Sequence, residues 1–314
     1  MTIDCCIVLP PMRDFAVVVA RCLQRAGHHV DGATRLFHGR GHQYPGYEDI
    51  TVDLFSSILL IGCFSGDEAG ATALANRLYE SMPATTGACV QLRDGRRTQF
   101  LAVAGVIPDE LLVTEDGLSF LIRLNKNLNV GLFLDSAPGR AWVRARAKDA
   151  RVLNLFAYTC GFSVAAIAGG ARRVMNVDMS RRVLEWGRDN HAANDHDLHL
   201  VRMLPHDVFR SWGKLRKSGP FDLIIIDPPT NQHGSFNAER QYSQVLRRLP
   251  DLAAPGAQVL ACLNSPFLHT DFLPAQMAKW CPDCRFVEQL PASPDFPDRY
   301  VDRALKASVF RYAG

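Results

Sequence analysis

Three aspartates each stand at or just beyond the end of a short apolar run. Asp178 follows Arg173–Val177, Asp207 follows Leu200–Leu204, and Asp227 closes Leu223–Asp227. A carboxylate so placed can accept hydrogen bonds from the hydroxyls or the exocyclic amine of a bound nucleoside. Asp227 is followed by Pro228 and Pro229. Proline fixes φ and removes a donor N–H, so two in a row make a stiff rim with outward carbonyls. Such a rim suits an in-line displacement, whose barrier falls largely through alignment.

The element that must position these groups is Arg151–Ser180, RVLNLFAYTCGFSVAAIAGGARRVMNVDMS. It reads as strand, polar turn, small-residue helix and second strand, half of a doubly wound sheet. Such sheets bind ligands at the carboxyl ends of their strands. Asp178, roughly 20 residues past the turn, is placed for a ribose. The turn, Ala157–Gly161, has Gly161 alone, with Phe156, Tyr158 and Phe162 around it. A pyrophosphate needs several glycines for close backbone approach. Neither GxGxxG nor GxxxxGK[ST] occurs, so a nucleoside without pyrophosphate fits better; S-adenosylmethionine is the common one. A ligand-free α/β core is the bland alternative. Asp207 could accept the adenine amine while Val208 packs on the ring, or could simply cap the next helix.

Further elements follow from periodicity. Seven strands are expected from Arg151 onward: Val152–Phe156, Val174–Val177, Leu200–Leu204, Leu223–Asp227, Val259–Leu263, Phe286–Leu290 and Lys306–Phe310. The fold class is therefore a doubly wound, seven-stranded Rossmann-like sheet over residues 151–314. A smaller α/β domain is expected over residues 1–115, with a strand at Ile3–Leu9, a helix at Asp14–Ala26 stopped by Gly27, and a second helix at Asp67–Ser81. Turns are expected at Asp94-Gly95 and Pro108-Asp109. His38 and His42 flank Gly39 and Gly41, which argue against a helix aligning them on a metal; they read as loop histidines near substrate. Residues 116–150 form a β-rich connecting segment, DGLSFLIRLNKNLNVGLFLD and beyond, that could lie over the cofactor as a lid. Arg140, Arg144 and Arg146 on a helix read as a solvated or a phosphate-binding face.

The formal charge of +3 permits nucleic acid without demanding it. No apolar run reaches the roughly 20 residues of a membrane span, and MTIDCCIVLPPMRD lacks the basic flank of a signal peptide. Nine cysteines, mostly inside apolar runs, suit a reducing cytoplasm. Cys281-Pro-Asp-Cys284 is a lone CxxC, short of the four ligands a structural zinc wants, so no metal is expected.

With these residues in hand, the chain resembles class I S-adenosylmethionine-dependent methyltransferases. More narrowly, it resembles the bacterial enzymes that methylate large-subunit ribosomal RNA, above all the guanine-N7 half of the bifunctional K/L enzyme. The resemblance rests on GLFLD (131–135), NLFAYTCGFSV (154–164), GGARRVMNVDMSRRVLEW (169–186), HDVF (206–209) and FDLIIIDPPT (221–230). It implies that Asn154, Phe156, Tyr158, Thr159 and Gly161 hold the methionine part of the cofactor. Asp178 and Met179 would take the ribose side and Asp207 with Val208 the adenine. Phe133 and Asp135 would close over the cofactor, and Asp227 with Pro228 would border the acceptor base. It also implies an RNA substrate. Two positions depart from the pattern: Ala137, where relatives have arginine, and Asn231 after DPPT.

A cytosine-C5 enzyme needs a cysteine thiolate, because C5 has no lone pair to offer. Its position after the fifth strand is Asn264 here, with Cys262 two residues earlier in VLACLNSPF. Guanine N7 carries its own lone pair and needs only alignment, which Asn264 could supply. The C5 reading through Cys262 stays open, as do a protein or small-molecule acceptor, a nicotinamide dehydrogenase, and a noncatalytic cofactor- or RNA-binding protein.

Overall fold

The computed structural model describes residues 13–26, 32–93, 95, 98–125, 129–229 and 237–314. The expected strand Ile3–Leu9, the stop at Gly27, Asp94 of the expected turn, Thr230 and Asn231 lie outside the described residues.

The chain opens with helix α1 (Ala16–Ala26) and strand β1 (Ala33–His38). A hairpin of β2 (Ile50–Phe55) and β3 (Ile58–Cys63), helix α2 (Glu68–Ser81), β4 (Gly87–Arg93) and β5 (Thr98–Gly105) follow. Asp67 caps α2 by accepting the Gly70 N–H at 2.9 Å. These strands form one sheet in the order β1-β2-β3-β4-β5, with only β3 and β4 parallel, across the α2 crossover. Alternation sorts its two faces. Ile50, Val52, Leu54, Leu59, Ile61, Ala88 and Val90 face α1 and α2, whereas Phe55, Ile58, Leu60 and Cys89 face the other way. That second face packs on the hairpin β6 (Leu111–Glu115) and β7 (Leu118–Ile122) and on Val164 and Ala165. One apolar layer therefore ties the small sheet to the rest of the molecule.

Among the described residues of 116–135, alternation yields only β7. The chain then takes a single 3-10 turn, Leu134–Ser136, into helix α3 (Ala137–Arg146), so the segment is less β-rich than its pattern suggests. Aligned carboxyl groups explain the fate of the α3 arginines. Arg140 makes a forked pair with Glu115 at 2.6 Å on each arm, Arg144 bonds Asp116, and Arg146 lies 3.7 Å from Glu288. Arg140 is thereby buried, whereas Arg144 and Arg146 stay at the surface in partly exposed pairs.

The large sheet contains β8 (Arg151–Leu155), β9 (Arg173–Asp178), β10 (Val201–Pro205), β11 (Phe221–Ile226), β12 (Ala253–Leu263), β13 (Cys284–Gln289) and β14 (Lys306–Tyr312). Its order is β10-β9-β8-β11-β12-β14-β13, with β14 antiparallel to both neighbours. The seven expected strands and the doubly wound architecture are all present. Strands β8 and β11 are buried on both faces, as their near-continuous apolar runs require. Helices α4 (Gly161–Ala168), α5 (Arg181–Ala192), α6 (Trp212–Ser218), α7 (Ala238–Leu246), α8 (Leu249–Leu252) and α9 (Phe272–Trp280) complete the layers. Ser180 caps α5 through the Val183 N–H. Register sets Leu155 beside Val177 and Ile226, so the loops after β8, β9 and β11 meet at one edge.

The loop between β13 and β14 bridges the two sheets. Asp295 pairs with Arg25 and accepts the Thr34 hydroxyl at 2.9 Å, and Phe296 lies under the Arg35 guanidinium at 4.4 Å. The described cysteines are all free and buried. Among the described residues no group of His, Cys, Asp and Glu could hold a metal, and no helix is long and apolar enough to cross a membrane.

Candidate active site

A cavity of about 620 Å³ lies at the carboxyl ends of β8, β9, β10 and β11. Its floor is the loop after β8. Three non-glycine residues there have positive φ: Phe156 at 60°, Tyr158 at 47° and Cys160 at 63°. Left-handed backbone costs such residues of order 1 kcal/mol each or more and persists only where surroundings over-determine it. Here they do. Ala157 N–H donates to Val177 O, Tyr158 N–H to Asp178 Oδ2 at 2.9 Å, and Asn190 Nδ2 to Thr159 O at 2.9 Å. The Thr159 hydroxyl donates to Gly131 O at 2.6 Å, and the Tyr158 hydroxyl to Asn129 O. These last two bonds fasten the 129–133 strap across the cavity's side. Gly131 is required in that strap: its φ is +116°, and a Cβ would stand 2.2 Å from the Trp186 ring.

Asp178 ends β9 and accepts two backbone N–H groups at 2.9 Å, from Tyr158 and from Ser180. A carboxylate offers about four lone-pair sites, so two remain for a ligand. Burial raises its pKa above the usual carboxylate range, against the pull of those two bonds. Met179 stands exposed at the rim. Asp207 caps the short turn after β10, accepting the Phe209 N–H at 2.8 Å, and still lines the cavity. Val208 beside it is buried, with Phe209 and Phe156 forming an aromatic corner at 6.2 Å. Phe133 leans against Tyr158 at 5.4 Å on the opposite side.

Asp227 follows β11 on the deep wall. Its pKa is pushed up to about 7, first by burial and then by the charge of Asp135; Arg140 and a hydrogen bond with Cys262 pull the other way. Asp135 is raised for the same leading reason, burial. Cys262 has 1% of its surface exposed, and burial with the two carboxylates holds its thiol well above the ordinary value. Asn264, one residue past β12, is exposed at the cavity mouth with Pro228 near it.

Of the residues singled out by sequence, Phe133, Asp135, Phe156, Tyr158, Thr159, Gly161, Asp178, Met179, Asp207, Val208, Asp227, Pro228 and Asn264 all line this cavity. Asn154 does not. It lies beneath the floor, 1% exposed, donating to Asn176 Oδ1 at 2.9 Å in a chain that continues through Ser163 to His191. Its position inside β8 points it into the core, so it supports the loop from below. Asn129, Gln241 and Leu305 also line the cavity and carry no motif; only folding brings them there. His38 ends β1, rather than sitting in a loop, and with His42 lines an adjoining cavity of about 570 Å³.

A nucleoside thioether or sulfonium fits this donor set. Asp178 keeps acceptor sites open toward the cavity, Phe156, Phe209 and Val208 offer it an apolar face, and in the described turn 157–161 Gly161 is the single glycine a phosphate could approach. The chain belongs to the S-adenosylmethionine-dependent methyltransferase family, whose profile matches residues 34–311. It is an enzyme, and S-adenosylmethionine is its methyl donor. It is 31% identical over 278 residues to the ribosomal RNA large subunit methyltransferase I of Cronobacter sakazakii, covering 84% of this chain and 69% of that relative. A Streptococcus mutans structure described as an S-adenosylmethionine-dependent methyltransferase superposes with a TM-score of 0.84 at 23% identity, over 96% of this chain and 83% of that one. A methyltransferase structure complexed with S-adenosylhomocysteine gives 0.82 at 24% identity, over 95% and 80%. These two likenesses establish the fold.

Proposed function

We propose that the acceptor is a base of large-subunit ribosomal RNA, with guanine N7 as the receiving atom. The relatives named for large-subunit ribosomal RNA support the substrate. The observation that carries the atom is the contrast between Cys262 and Asn264. A C5 mechanism needs an accessible thiolate. Cys262 is sealed inside β12 and hydrogen-bonded to Asp227 as a thiol. Asn264 stands at the mouth instead. An acceptor that brings its own in-plane lone pair is served by this arrangement.

In this reading Asp178 holds the ribose, Asp207 and Val208 the adenine, and Phe156 to Gly161 with Phe133 and Asp135 the methionine end. The bound donor supplies an electrophilic methyl on a sulfonium. The Pro228-Pro229 rim and Asn264 align the base for in-line attack. Asp227, when ionised, offsets the positive charge that forms on the methylated ring. Residues 1–115 serve as a docking domain, 116–150 as the flank that closes over the donor, and 151–314 as the donor-binding domain.

The test is transfer of labelled methyl to protein-free ribosomal RNA from cells lacking this protein, followed by mapping of the base. Label at guanine N7 is expected. Cys262→Ser, which keeps the hydrogen-bond donor, is expected to retain turnover within about threefold, whereas Asn264→Ala loses roughly 10-fold or more with donor affinity intact. Label at cytosine C5, or a collapse of Cys262→Ser activity, would replace the N7 assignment by the C5 one. Absence of label in any RNA, with donor binding intact by calorimetry, would move the acceptor to a protein or small molecule.

A further inference from the structure

The second cavity opens between the five-stranded sheet and the carboxyl end of the large sheet, and it shares Phe133, Asp135 and Asn264 with the donor cavity. A molecule lying in one therefore reaches the other. Four arginines line it: Arg35, Arg40, Arg93 and Arg303. Two of them bond groups that line the same cavity. Arg35 forks onto Asp53, at 2.5 and 2.9 Å, and its third nitrogen bonds His38 Nδ1 at 2.9 Å. Arg303 donates to His42 Nε2 at 2.7 Å.

Arg40 and Arg93 are arranged differently. Both guanidiniums rest on one ring, Phe64, at 4.1 and 5.2 Å from its centroid. Arg93 also bonds Gln91 Oε1 through two nitrogens, at 2.8 and 2.5 Å, and Arg40 makes no ion pair among the described residues. Two cations gathered on one apolar ring repel each other; Asp53, already forked onto Arg35, offsets part of this at Arg93, and a ring face returns only about 0.5–1 kcal/mol per cation at such sites. An anion between them would reverse the balance, because planar guanidinium forks match phosphate oxygens two at a time.

The support under Arg40 is rigid. It is the middle residue of the turn Gly39–Gly41. A Cβ on Gly39 would stand 1.8 Å from Tyr47 O, and one on Gly41 would stand 1.9 Å from Pro297 O. Gly41 O accepts the Arg299 N–H at 2.7 Å, so the turn is pinned between the two sheets. Arg93 comes from the end of β4, a central strand of the small sheet. A site held this way costs little to order when a ligand arrives.

We propose that Arg40 and Arg93, both resting on Phe64, form an anion clamp that grips a backbone phosphate of the nucleic-acid substrate while its target base reaches the methyl donor past Asn264. The clamp's nucleic-acid ligand rests on the RNA reading above. The clamp itself rests on the two arginines.

The experiment uses the full chain carrying Arg40→Gln, Arg93→Gln or both, with donor binding by calorimetry to show that each variant is folded. Binding to protein-free ribosomal RNA is measured across a salt series. The double variant is expected to lose roughly 10- to 100-fold in RNA affinity. Its salt slope should fall by about 0.7–0.9 for each phosphate it no longer neutralises. KM for RNA rises while kcat at saturation changes little. Arg40→Lys, a point charge without the fork, recovers part of the affinity. Unchanged affinity and slope in a double variant that still binds donor would overturn the clamp. If the wild-type chain binds no RNA, inorganic phosphate and guanosine monophosphate are titrated instead. Binding that disappears in Arg40→Gln keeps the clamp and assigns it to a small nucleotide substrate, whereas no binding of either overturns it.

Discussion

At the scale of single residues, the deep wall of the donor cavity is decided by how few charges it can hold. Asp227 and Asp135 are both half-buried on the cavity wall, and the cations near them, Arg140 and Arg35, are already forked onto Glu115 and Asp53. Ionising both carboxyls in one low-dielectric wall is costly, so Asp227 titrates at about 7. If its ionised form supports transfer, activity rises as pH passes upward through 7. Asp227→Asn should remove that limb from the pH–rate profile while donor affinity stays within a few-fold; a profile that keeps the limb would assign it elsewhere. The same group affects stability with a definite sign. Its folded pKa lies above the unfolded value of 3.8, so the native state holds the extra proton between 3.8 and 7. The neutral form is the one the fold favours, and that contribution is lost as pH rises through 7. Asp227→Asn should therefore raise the melting temperature more at pH 8 than at pH 5.5, which a pair of thermal melts would check.

Elements explain what the residues cannot. The loop after β8 holds three left-handed non-glycine residues because β9, α5 and the 129–133 strap all bond to it. The strap in turn fits only because Gly131 leaves room for Trp186. Gly131→Ala adds a Cβ at positive φ against an aromatic ring, a change of about 1–3 kcal/mol by overpacking alone. It should lower the melting temperature by several degrees and weaken donor binding about 10-fold, read by calorimetry. Donor affinity equal to wild type would mean that the strap does not set the loop's geometry. Helix α4 shows a related device. A Cβ on Gly169 would stand 2.1 Å from Arg144 O, so the small residues of this stretch let α3 and α4 close together behind the cavity.

For the whole molecule, the telling contacts are those between the sheets. The small sheet shares an apolar layer with the β6–β7 hairpin and α4, and the loop before β14 bolts onto α1 and β1 through Asp295. The pair Arg25–Asp295 is partly exposed, so solvent screening limits it to about 1 kcal/mol or less. Its larger consequence is positional, because the second cavity lies along this junction. Asp295→Ala should leave donor affinity unchanged and lower the melting temperature only slightly, yet raise KM for RNA several-fold. An unchanged KM would show that the apolar layer alone holds the register between the sheets.

The linear sequence by itself determined the large sheet and most of the donor cavity. Apolar runs of strand length ending in Asp178 and Asp227 declare their own ends, because a strand buried along most of its length stops where a charge begins, and the run before Asp207 is closed by Pro205. The absence of a glycine fingerprint after β8 likewise pointed away from a pyrophosphate, since that signal is local. What stayed illegible depended on partners far along the chain. Asn154 sits in a motif, but β8's register turns it into the core toward Asn176. The α3 arginines look like a basic face until Glu115, Asp116 and Glu288 arrive to pair with them. Cys262 and Asn264 are two letters apart, and only burial distinguishes a sealed thiol from an exposed amide. The meeting of Arg40 with Arg93 on Phe64 was likewise decided by tertiary structure, because it joins a turn, a strand end and a loop from three parts of the small sheet. Local patterns specify strands, caps and turns through forces that act over a few residues; charge pairing and burial act through space and become defined only when the chain has closed.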